Sequence, residues 1–469
     1  MSRRTLLAAA GVAVAGALVA ACGSDSKTTS TTAAPGTTAS PGTTAAPGTT
    51  TATPATTAAA GTTAAPGTTA AAGTTAPAAT SGGGADVGTV SIGLNEAPTA
   101  GKAYDALKAA LDSTGIKVEI NGVDHNTFQG NITNYLAQPE DVFTWFSGYR
   151  MRFFADKGLI GDVSDVWANL PDMAASFKTA STGNDGKQYF VPLYYYPWAV
   201  HYRKSVFAEH GYTIPTTKVE LVALATKMKA DGLIPFAYAN DGKWPVQGTF
   251  DILNMRINGY QYHVDLLAGK ESWTDARTKA VFTTWAELLP FHQENPNGRK
   301  WEEAATALEK KEAGMFYLGT FVAQNSKDQA YLDDLDFFAY PTLDPKIGAD
   351  AVDAPIDGMM MAAEPKNPKG AKALLTAWGQ AKTFDAFNKV NPSYVGVNGK
   401  ADASAYNAIQ KKSAELVGSA KHIAQFLDRD TNPDFVNNVI GDAFASFHTD
   451  PTQVDSILAN IDKQKSAYL

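Results

Sequence analysis

A long segment near the start of the chain limits which residues can fold. From about Ser24 to Gly84 the sequence repeats Ala-Ala-Pro-Gly-Thr-Thr and close variants, and its only charged residues are Asp25 and Lys27. Because no large apolar side chain occurs there, the segment cannot bury enough surface to offset the entropy lost on ordering. We expect it to remain a disordered tether over residues 22–86, which leaves residues 87–469 to form the folded part.

The residues before the tether have the pattern of an export signal. Arg3 and Arg4 precede an uncharged run from Thr5 to Ala21, which is short for a transmembrane span. The run ends at Cys22, the only cysteine among 469 residues. This arrangement resembles a bacterial lipobox, which implies a cleaved signal peptide over residues 1–21 and lipid anchoring of Cys22 at the extracytoplasmic face of the membrane. The paired arginines are also similar to a twin-arginine signal, so the export route stays open.

The composition of the chain excludes several classes of function. Its formal net charge is −8 and it lacks long basic runs, so nucleic acid is not an expected partner. Apart from Cys22 it has no cysteine, which excludes disulfides and thiol chemistry from the folded part. The motifs of serine hydrolases, zinc proteases and nucleotide-binding loops are absent, and the 7 histidines show no metal-ligand spacing. The sequence therefore predicts no catalytic residue, no metal and no cofactor.

Strand and helix patterns alternate at the start of the folded part. The periodicity predicts strands at Thr89–Leu94, Ile116–Ile120 and Asp141–Phe146, separated by helices at Lys102–Leu111 and Phe128–Ala137. Such alternation is typical of right-handed βαβ units and a parallel sheet.

The middle of the folded part is richer in helix. Thr217-x-x-Glu220 has the spacing of a capping box and predicts a helix over Leu221–Lys229. The same patterns predict helices at Phe250–Asn258, Arg277–Gln293 and Trp301–Lys310, and strands at Ile234–Tyr238, Gly314–Leu318 and Ile356–Ala362. The end of the chain, from Ala403, is again predicted to be helical. The chain is therefore predicted to be an α/β protein with a large helical complement.

Aromatic and polar side chains recur directly after the predicted strands. Ligands of open α/β sheets bind beyond the carboxyl ends of the strands, and these positions hold Asn95 and Glu96, Thr144–Arg150, Tyr194–Trp198, Asn240–Trp244, Tyr317 and Asp357. Flat rings can cover the C–H face of a pyranose, and carboxylates, amides and guanidinium groups can bond its hydroxyls. The set as a whole therefore favours a neutral polyol as ligand.

At these residues the chain resembles family 1 extracellular solute-binding proteins of bacterial ABC sugar transporters, the multiple-sugar and maltose-binding type. The resemblance rests on the order and spacing of several motifs, none of them diagnostic alone: Asp141–Leu159, Pro192–Ser205, Gly232–Pro235 with Trp244, Ala313–Gly319, Pro355–Gly358 with Asn367–Ala371, and Gln425–Asp430. Together these motifs extend over nearly the whole folded part.

The resemblance implies a two-lobed, periplasmic-binding-protein-like fold of type II, with mixed sheets flanked by helices and a ligand cleft between the lobes. Residues 87–198 plus 355–398 would form the N-terminal lobe, and residues 199–354 plus 399–469 the C-terminal lobe. It further implies a monomer that closes on a carbohydrate and delivers it to the permease subunits of an ABC importer.

The resemblance also implies a set of binding residues. Those at positions that commonly line the cleft are Trp145, Tyr196, Trp198, Trp244, Tyr317 and Asp357, and weaker matches are Glu96, Asp241 and Asp430. Arg150 and Arg256 are interpreted instead as structural residues that pair with a carboxylate inside a lobe.

Two alternatives to a sugar-binding protein stay open at this point. A lipid-anchored, glycoside-active enzyme would need two carboxylates flanking the bond, and the chain has acidic residues in plenty. Within the same fold, Tyr194, Tyr195 and Tyr196 suggest phenolate ligation of ferric iron, and aromatic boxes with carboxylates also suit polyamines.

Overall fold

The computed structural model describes residues 86–469. The predicted signal peptide, Cys22 and almost all of the predicted tether lie outside these residues. The strands are β1 (Val90–Leu94), β2 (Val118–Gly122), β3 (Val142–Phe146), β4 (Val191–Tyr195), β5 (Trp198–Arg203), β6 (Ile234–Phe236), β7 (Ala313–Gly319), β8 (Leu335–Phe338), β9 (Ala351–Asp353), β10 (Ile356–Met361), β11 (Val395–Gly396) and β12 (His422–Ala424).

Helices surround the strands throughout this part of the chain. They are α1 (Lys102–Thr114), α2 (His125–Gly130), α3 (Ile132–Tyr135), α4 (Tyr149–Asp156), α5 (Ser164–Trp167), α6 (Ala175–Ala180), α7 (Lys204–His210), α8 (Lys218–Ala230), α9 (Pro245–Asn258), α10 (Tyr260–Leu267), α11 (Ala276–Leu288), α12 (Trp301–Glu309), α13 (Gln329–Asp334), α14 (Pro368–Trp378), α15 (Ala381–Val390), α16 (Ala408–Ser419), α17 (Leu427–Asp430), α18 (Pro433–Phe435), α19 (Gly441–Thr449) and α20 (Val454–Lys465).

The first lobe is built on a six-stranded sheet with the order β11-β4-β10-β3-β1-β2. Strands β2, β1 and β3 are parallel, as the strand–helix alternation predicts. Strand β10 returns from much later in the chain and runs antiparallel to both β3 and β4. The sheet is therefore mixed, and Asp357 in β10 lies opposite Phe146 on one side and Tyr194 on the other.

The second lobe is built on a four-stranded sheet with the order β6-β7-β5-β8. Its central strand β7 is buried at all seven positions, as expected for a strand covered on both faces. The predicted capping box is confirmed at the start of α8, where the Thr217 side chain accepts from the Glu220 N–H and the Glu220 side chain accepts from the Thr217 N–H. This reciprocal bonding satisfies two of the N–H groups that a helix start leaves free.

The chain passes from one sheet to the other at short connections. Tyr195 ends β4 in the first sheet, and Trp198 begins β5 in the second. The return passes through β9, which pairs with β12 in a separate two-stranded sheet, and reaches β10 after Ala354 and Pro355. Because so few residues connect the sheets, the carboxyl ends of β4 and β3 face the starts of β5 and β10 at the junction between the lobes.

One predicted helix differs from the structure in a way that affects the site. The sequence pattern predicts one helix over Phe128–Ala137, but α2 begins earlier, at His125, where the Asp124 side chain accepts from the Thr127 N–H. Gly130 and Asn131 then interrupt the helix before α3. This early start brings His125 to the carboxyl end of β2, at the junction between the lobes.

Candidate functional site

A cavity of about 450 Å³ lies between the two sheets. Its volume is in the lower half of the range for small-molecule sites, which is about 300–1,000 Å³. It is lined from the first lobe by the residues after β1 and β2, from the second by the start of β5 and the residues before α9, and by α17. A wider groove of about 650 Å³ lies elsewhere, against α19 and α20, but no aromatic side chain lines it. The interlobe cavity is therefore the candidate site.

The second lobe contributes an aromatic corner to the cavity. Trp198 and Trp244 meet at 90° with ring centroids 6.2 Å apart. The Phe426 ring is tilted by 31° to Trp198 with centroids 4.7 Å apart, and the Phe321 ring lies 6.0 Å from Trp244. Trp301 then meets Phe321 edge-on at 5.2 Å. Such a corner offers a flat face and an adjoining edge to an apolar ring surface.

The position of Trp198 depends on a glycine in the helix behind it. Gly248 lies inside α9, and a Cβ atom there would come within 2.6 Å of the Trp198 ring and 2.9 Å of the Phe426 ring. A residue without a side chain at this position therefore lets the indole lie against the helix backbone. Gly248 is expected to position the wall that a ligand would contact.

We expect Gly248→Ala to destabilise the protein, although alanine in a helix interior normally stabilises by about 1 kcal/mol relative to glycine. The added methyl group must displace Trp198, and such overpacking costs about 1–3 kcal/mol. Urea unfolding and the tryptophan emission maximum would measure the two effects. Gly418→Ala in α16 is the matched control, because nothing lies within 4 Å of a Cβ atom there. Equal stabilisation by both substitutions would contradict this role.

A buried ion pair between Asp357 of the first lobe and Arg429 of α17 forms the floor of the cavity. Arg429 Nη1 donates to Asp357 Oδ1 at 2.6 Å, and Arg429 Nη2 donates to the Tyr196 hydroxyl at 3.0 Å. The guanidinium group lies 3.7 Å from the centroid of the Phe146 ring. Burial raises the pKa of Asp357 above its ordinary value, although the charge of Arg429 opposes this. The charge of Arg429 therefore favours the ionised carboxylate, which is the stronger acceptor for a ligand hydroxyl.

A second polar group lies beside the ion pair. Glu96 Oε1 is 3.6 Å from His125 Nδ1, and Gln129 Nε2 is 2.7 Å from His125 Nε2. Asn95, at the end of β1, also approaches His125 Nδ1 at 3.5 Å. These side chains give the first lobe a wall of hydrogen-bonding groups that faces the aromatic corner.

Two hydrogen bonds join the lobes at the edge of the cavity. Trp244 Nε1 donates to Asn126 Oδ1 at 3.1 Å, and Lys102 Nζ donates to the Ser326 carbonyl at 2.6 Å. Each bond joins a residue of the first lobe to a residue of the second, so both exist only while the lobes are together. The described conformation is therefore a closed one.

The structure places six of the nine sequence-predicted binding residues on the cavity. These are Glu96, Tyr196, Trp198, Asp241, Trp244 and Asp357. They come from four separate segments of the chain, and only the fold brings them together.

The other three predicted residues do not line the cavity. Trp145 neighbours Phe146 in β3 and lies opposite Gly358, so alternation directs it to the face opposite that of Asp357. Tyr317 pairs with Val200, two residues deeper than the start of β5 at Trp198, and it packs behind the indole. Asp430 Oδ2 accepts from the Gln425 N–H at 2.8 Å, which directs it into its own turn, where burial raises its pKa to about 6.

The two arginines interpreted as structural are both buried, but their partners differ from the expectation. Arg256 donates to the Tyr340 and Ala351 carbonyls at 3.2 and 2.6 Å. Arg150 donates from Nη1 to Gln129 Oε1 at 3.1 Å. Neither forms a salt bridge with a carboxylate among the described residues.

Several cavity residues were not predicted from the sequence. Arg429 lies in the Gln425–Asp430 motif, directly before the predicted binding residue Asp430. His125 and Asn126 directly follow Asp124, just after the end of β2. Ligands bind beyond the carboxyl ends of strands, so their position after this strand is the sequence signal that marks them. Tyr394 lies 5.2 Å from Tyr196, but no local pattern marks it.

Two further findings concern the described part of the chain. No helix in residues 86–469 is long and apolar enough to span a membrane. Within the same residues, no group of three or more histidine, cysteine, aspartate or glutamate side chains is arranged to hold a metal ion.

Two lobes around a cavity with an aromatic and a polar wall define a ligand-binding protein. The model of the bacterial extracellular solute-binding protein family matches residues 95–383, more than half of the chain. The protein belongs to this family, whose members are binding proteins.

Solved structures and curated relatives agree with this assignment. The bacterial solute receptor AcbH, described as having an exclusive preference for β-D-galactopyranose, is 42% identical, with a TM-score of 0.77 over 81% of this chain and 98% of the receptor. An uncharacterized ABC transporter extracellular-binding protein of Pyrococcus horikoshii is 24% identical over 61% of this chain and 64% of its own length. A probable sugar-binding periplasmic protein of Mesorhizobium japonicum is 25% identical over 52% of this chain and 60% of its own length. The chain thus spans less than two thirds of these two curated relatives.

Proposed function

We propose that the protein captures a neutral sugar in the interlobe cavity and delivers it to the permease of an ABC importer. The observation that carries the proposal is the division of the cavity between an aromatic corner and a polar wall. A pyranose ring has an apolar C–H face and a rim of hydroxyls, and it therefore matches both walls at once. The preference of AcbH for β-D-galactopyranose supports a single pyranose as the first ligand to test.

The same geometry favours binding over the alternatives. Asp357 is held by Arg429 at 2.6 Å, so it is poorly placed to donate a proton as a glycosidase acid would. Burial raises the pKa of Tyr194, Tyr196 and Tyr394 well above the ordinary tyrosine value. Among residues 86–469, no group of three or more histidine, cysteine, aspartate or glutamate side chains is arranged to hold a metal ion, so the tyrosines lack the companion ligands that favour ferric iron. In this proposal the protein performs no covalent chemistry.

The proposal includes the location and the working cycle of the protein. Cys22 would carry the lipid anchor at the extracytoplasmic face of the membrane, and the monomer would meet the permease there. Sugar contacts both walls only when the lobes are closed, so binding shifts the population toward the closed form. Lobes 87–198 with 355–398 and 199–354 with 399–469 would then move about the connections between the sheets.

A thermal-shift screen of the full chain tests the ligand class. A ligand that binds only the native state adds RT ln(1 + [L]/Kd), about 2.7 kcal/mol at a hundredfold excess over Kd. We expect galactose or a related monosaccharide to raise Tm by several degrees, and amino acids, polyamines and ferric citrate to leave it unchanged. A response to iron or polyamine alone would refute the sugar assignment. Turnover of a polysaccharide would support the glycoside-active enzyme instead.

We expect small-angle scattering to show a smaller radius of gyration with saturating sugar than without it. The interlobe bonds from Trp244 to Asn126 and from Lys102 to Ser326 can form only in the compact state. Profiles of the free and the sugar-saturated protein that superimpose would remove the support for closure. An inert sugar from the same screen serves as the control for solvent contrast.

A further inference from the structure

Two hydrogen bonds and one longer polar contact connect a buried arginine to the polar wall of the cavity. Arg150 Nη1 is 3.1 Å from Gln129 Oε1, Gln129 Nε2 is 2.7 Å from His125 Nε2, and His125 Nδ1 is 3.6 Å from Glu96 Oε1. Glu96, His125 and Gln129 line the cavity. Arg150 lies behind them, 1% exposed, with its guanidinium group 5.7 Å from the centroid of the Trp145 ring.

The direction of each bond in this chain follows from its first member. A guanidinium group only donates, so the atom of Gln129 that faces Arg150 must be its carbonyl oxygen. The NH₂ group of Gln129 is then directed at His125 Nε2, which must carry a lone pair to accept from it. The ring proton of a neutral His125 is consequently on Nδ1, which lies 3.6 Å from Glu96 Oε1 and 3.5 Å from Asn95 Nδ2. Of these two neighbours only the Glu96 carboxylate is an acceptor.

We infer that Arg150 and Gln129 are positioning residues that hold His125 as its neutral Nδ1–H tautomer and thereby orient Glu96 as an acceptor toward the ligand. The inference rests on the proposed function and specifies how the polar wall recognises a sugar. A carboxylate cannot donate, and the only ring proton of a neutral His125 faces Glu96. A ligand hydroxyl at this point must therefore donate its hydrogen, and an isostere with only an acceptor there is rejected.

The tautomer also makes the wall sensitive to acid. An imidazolium donates from both nitrogens, so protonated His125 would direct Nε2–H at the NH₂ group of Gln129, which is also a donor. The Gln129 amide could present its oxygen to His125 only by turning over, and this would break its hydrogen bond to Arg150. The charged groups that act on the ring are Glu96 and Asp357 from the first lobe, Arg429 from α17 and Glu302 from α12. Burial lowers the pKa of His125, but the hydrogen bond and charge of Glu96 raise it by more, so the net pKa is above its ordinary value. Sugar affinity should therefore decrease as the pH falls through the pKa of His125, which lies above the ordinary histidine value.

Gln129→Glu tests the relay because it keeps the size of the side chain and replaces its donor by an acceptor. A glutamate at this position accepts both from Arg150 and from His125 Nε2–H, so the ring proton moves to Nε2 or the ring becomes charged. We expect ¹⁵N NMR of the ligand-free full chain to show this change, with His125→Gln identifying the signals by their loss. We also expect galactose affinity to be roughly tenfold weaker at neutral pH and to lose most of its pH dependence.

Gln138→Glu is the matched control, since Gln138 is exposed and carries the same change of charge away from the cavity. It should leave the imidazole spectrum and the affinity unchanged. The inference is overturned if His125 of the wild-type protein carries its proton on Nε2 at mildly alkaline pH, or if Gln129→Glu leaves both the spectrum and the affinity as they were. Absence of sugar binding by the wild-type protein would refute the proposed function instead, because the spectrum of the ligand-free protein still tests the relay.

Discussion

Replacement of Arg429 by Met is expected to abolish sugar binding and to lower the free energy of unfolding by about 3–5 kcal/mol. Met retains an unbranched apolar stem but removes the donors to Asp357 and Tyr196. The Asp357 carboxylate, whose side chain is only 17% exposed, is then left without its counter-charge. Isothermal titration calorimetry with the sugar identified by thermal shift, together with urea unfolding, measures both losses.

Two further variants separate stability from recognition at this ion pair. The double variant Arg429→Met with Asp357→Asn removes the unpaired charge, so most of the stability should return while binding stays lost. Arg277→Met is the control for loss of an arginine, because its ion pairs are at the surface, with 49% of the side chain exposed. Its effect should remain below about 1 kcal/mol. Unchanged sugar affinity in either Arg429 variant would show that the ion pair is not part of the site.

Trp198→Ala is expected to weaken sugar binding by about 30-fold or more, because truncation of a buried aromatic anchor costs about 2 kcal/mol or more. The indole is also 4% exposed and packs against Phe426 and Tyr317. The substitution therefore leaves a cavity and should lower the free energy of unfolding by about 3–5 kcal/mol. Calorimetry well below the melting temperature of the variant measures affinity, and urea unfolding measures stability.

Trp273→Ala provides the matched control for this experiment. Trp273 is a fully buried tryptophan of the same lobe, but it packs against Phe250, Phe435 and Phe444 and does not line the cavity. It should lose as much stability as Trp198→Ala and keep its sugar affinity. Equal losses of sugar affinity in the two variants would mean that Trp198 supports binding only by stabilising the hydrophobic core, and not by contact with the sugar.

The elements of the fold could largely be predicted from local pattern. Strands β1, β3 and β7 and helix α8 lie within a few residues of their predicted bounds, because apolar periodicity and the capping box at Thr217 are encoded in adjacent residues. The predicted helix over Phe128–Ala137 was wrong in its bounds. A side-chain cap at Asp124 and a break at Gly130 and Asn131 outweighed the apolar spacing there.

The binding residues were predicted less well than the elements. Sequence position showed that aromatic and acidic residues follow the strands, and Trp198, Trp244 and Asp357 do line the cavity. It did not show which of two neighbours faces the ligand. In β3 the buried neighbours Trp145 and Phe146 both fit the pattern, and only the pairing of β10 directs Phe146 to the side of Arg429.

The amino-acid sequence by itself determined the α/β class of this protein, its family and the kinds of side chain that supply its site. Each of these depends on residue types at short or regular spacing, which remain visible along one chain. Only the tertiary structure decided that Arg429 holds Asp357, that Gly248 makes room for Trp198, and that Arg150 orients His125 through Gln129. The first two contacts join segments 72 and 50 residues apart in the sequence. The side-chain directions in all three depend on strand pairing and helix packing, which no local pattern specifies.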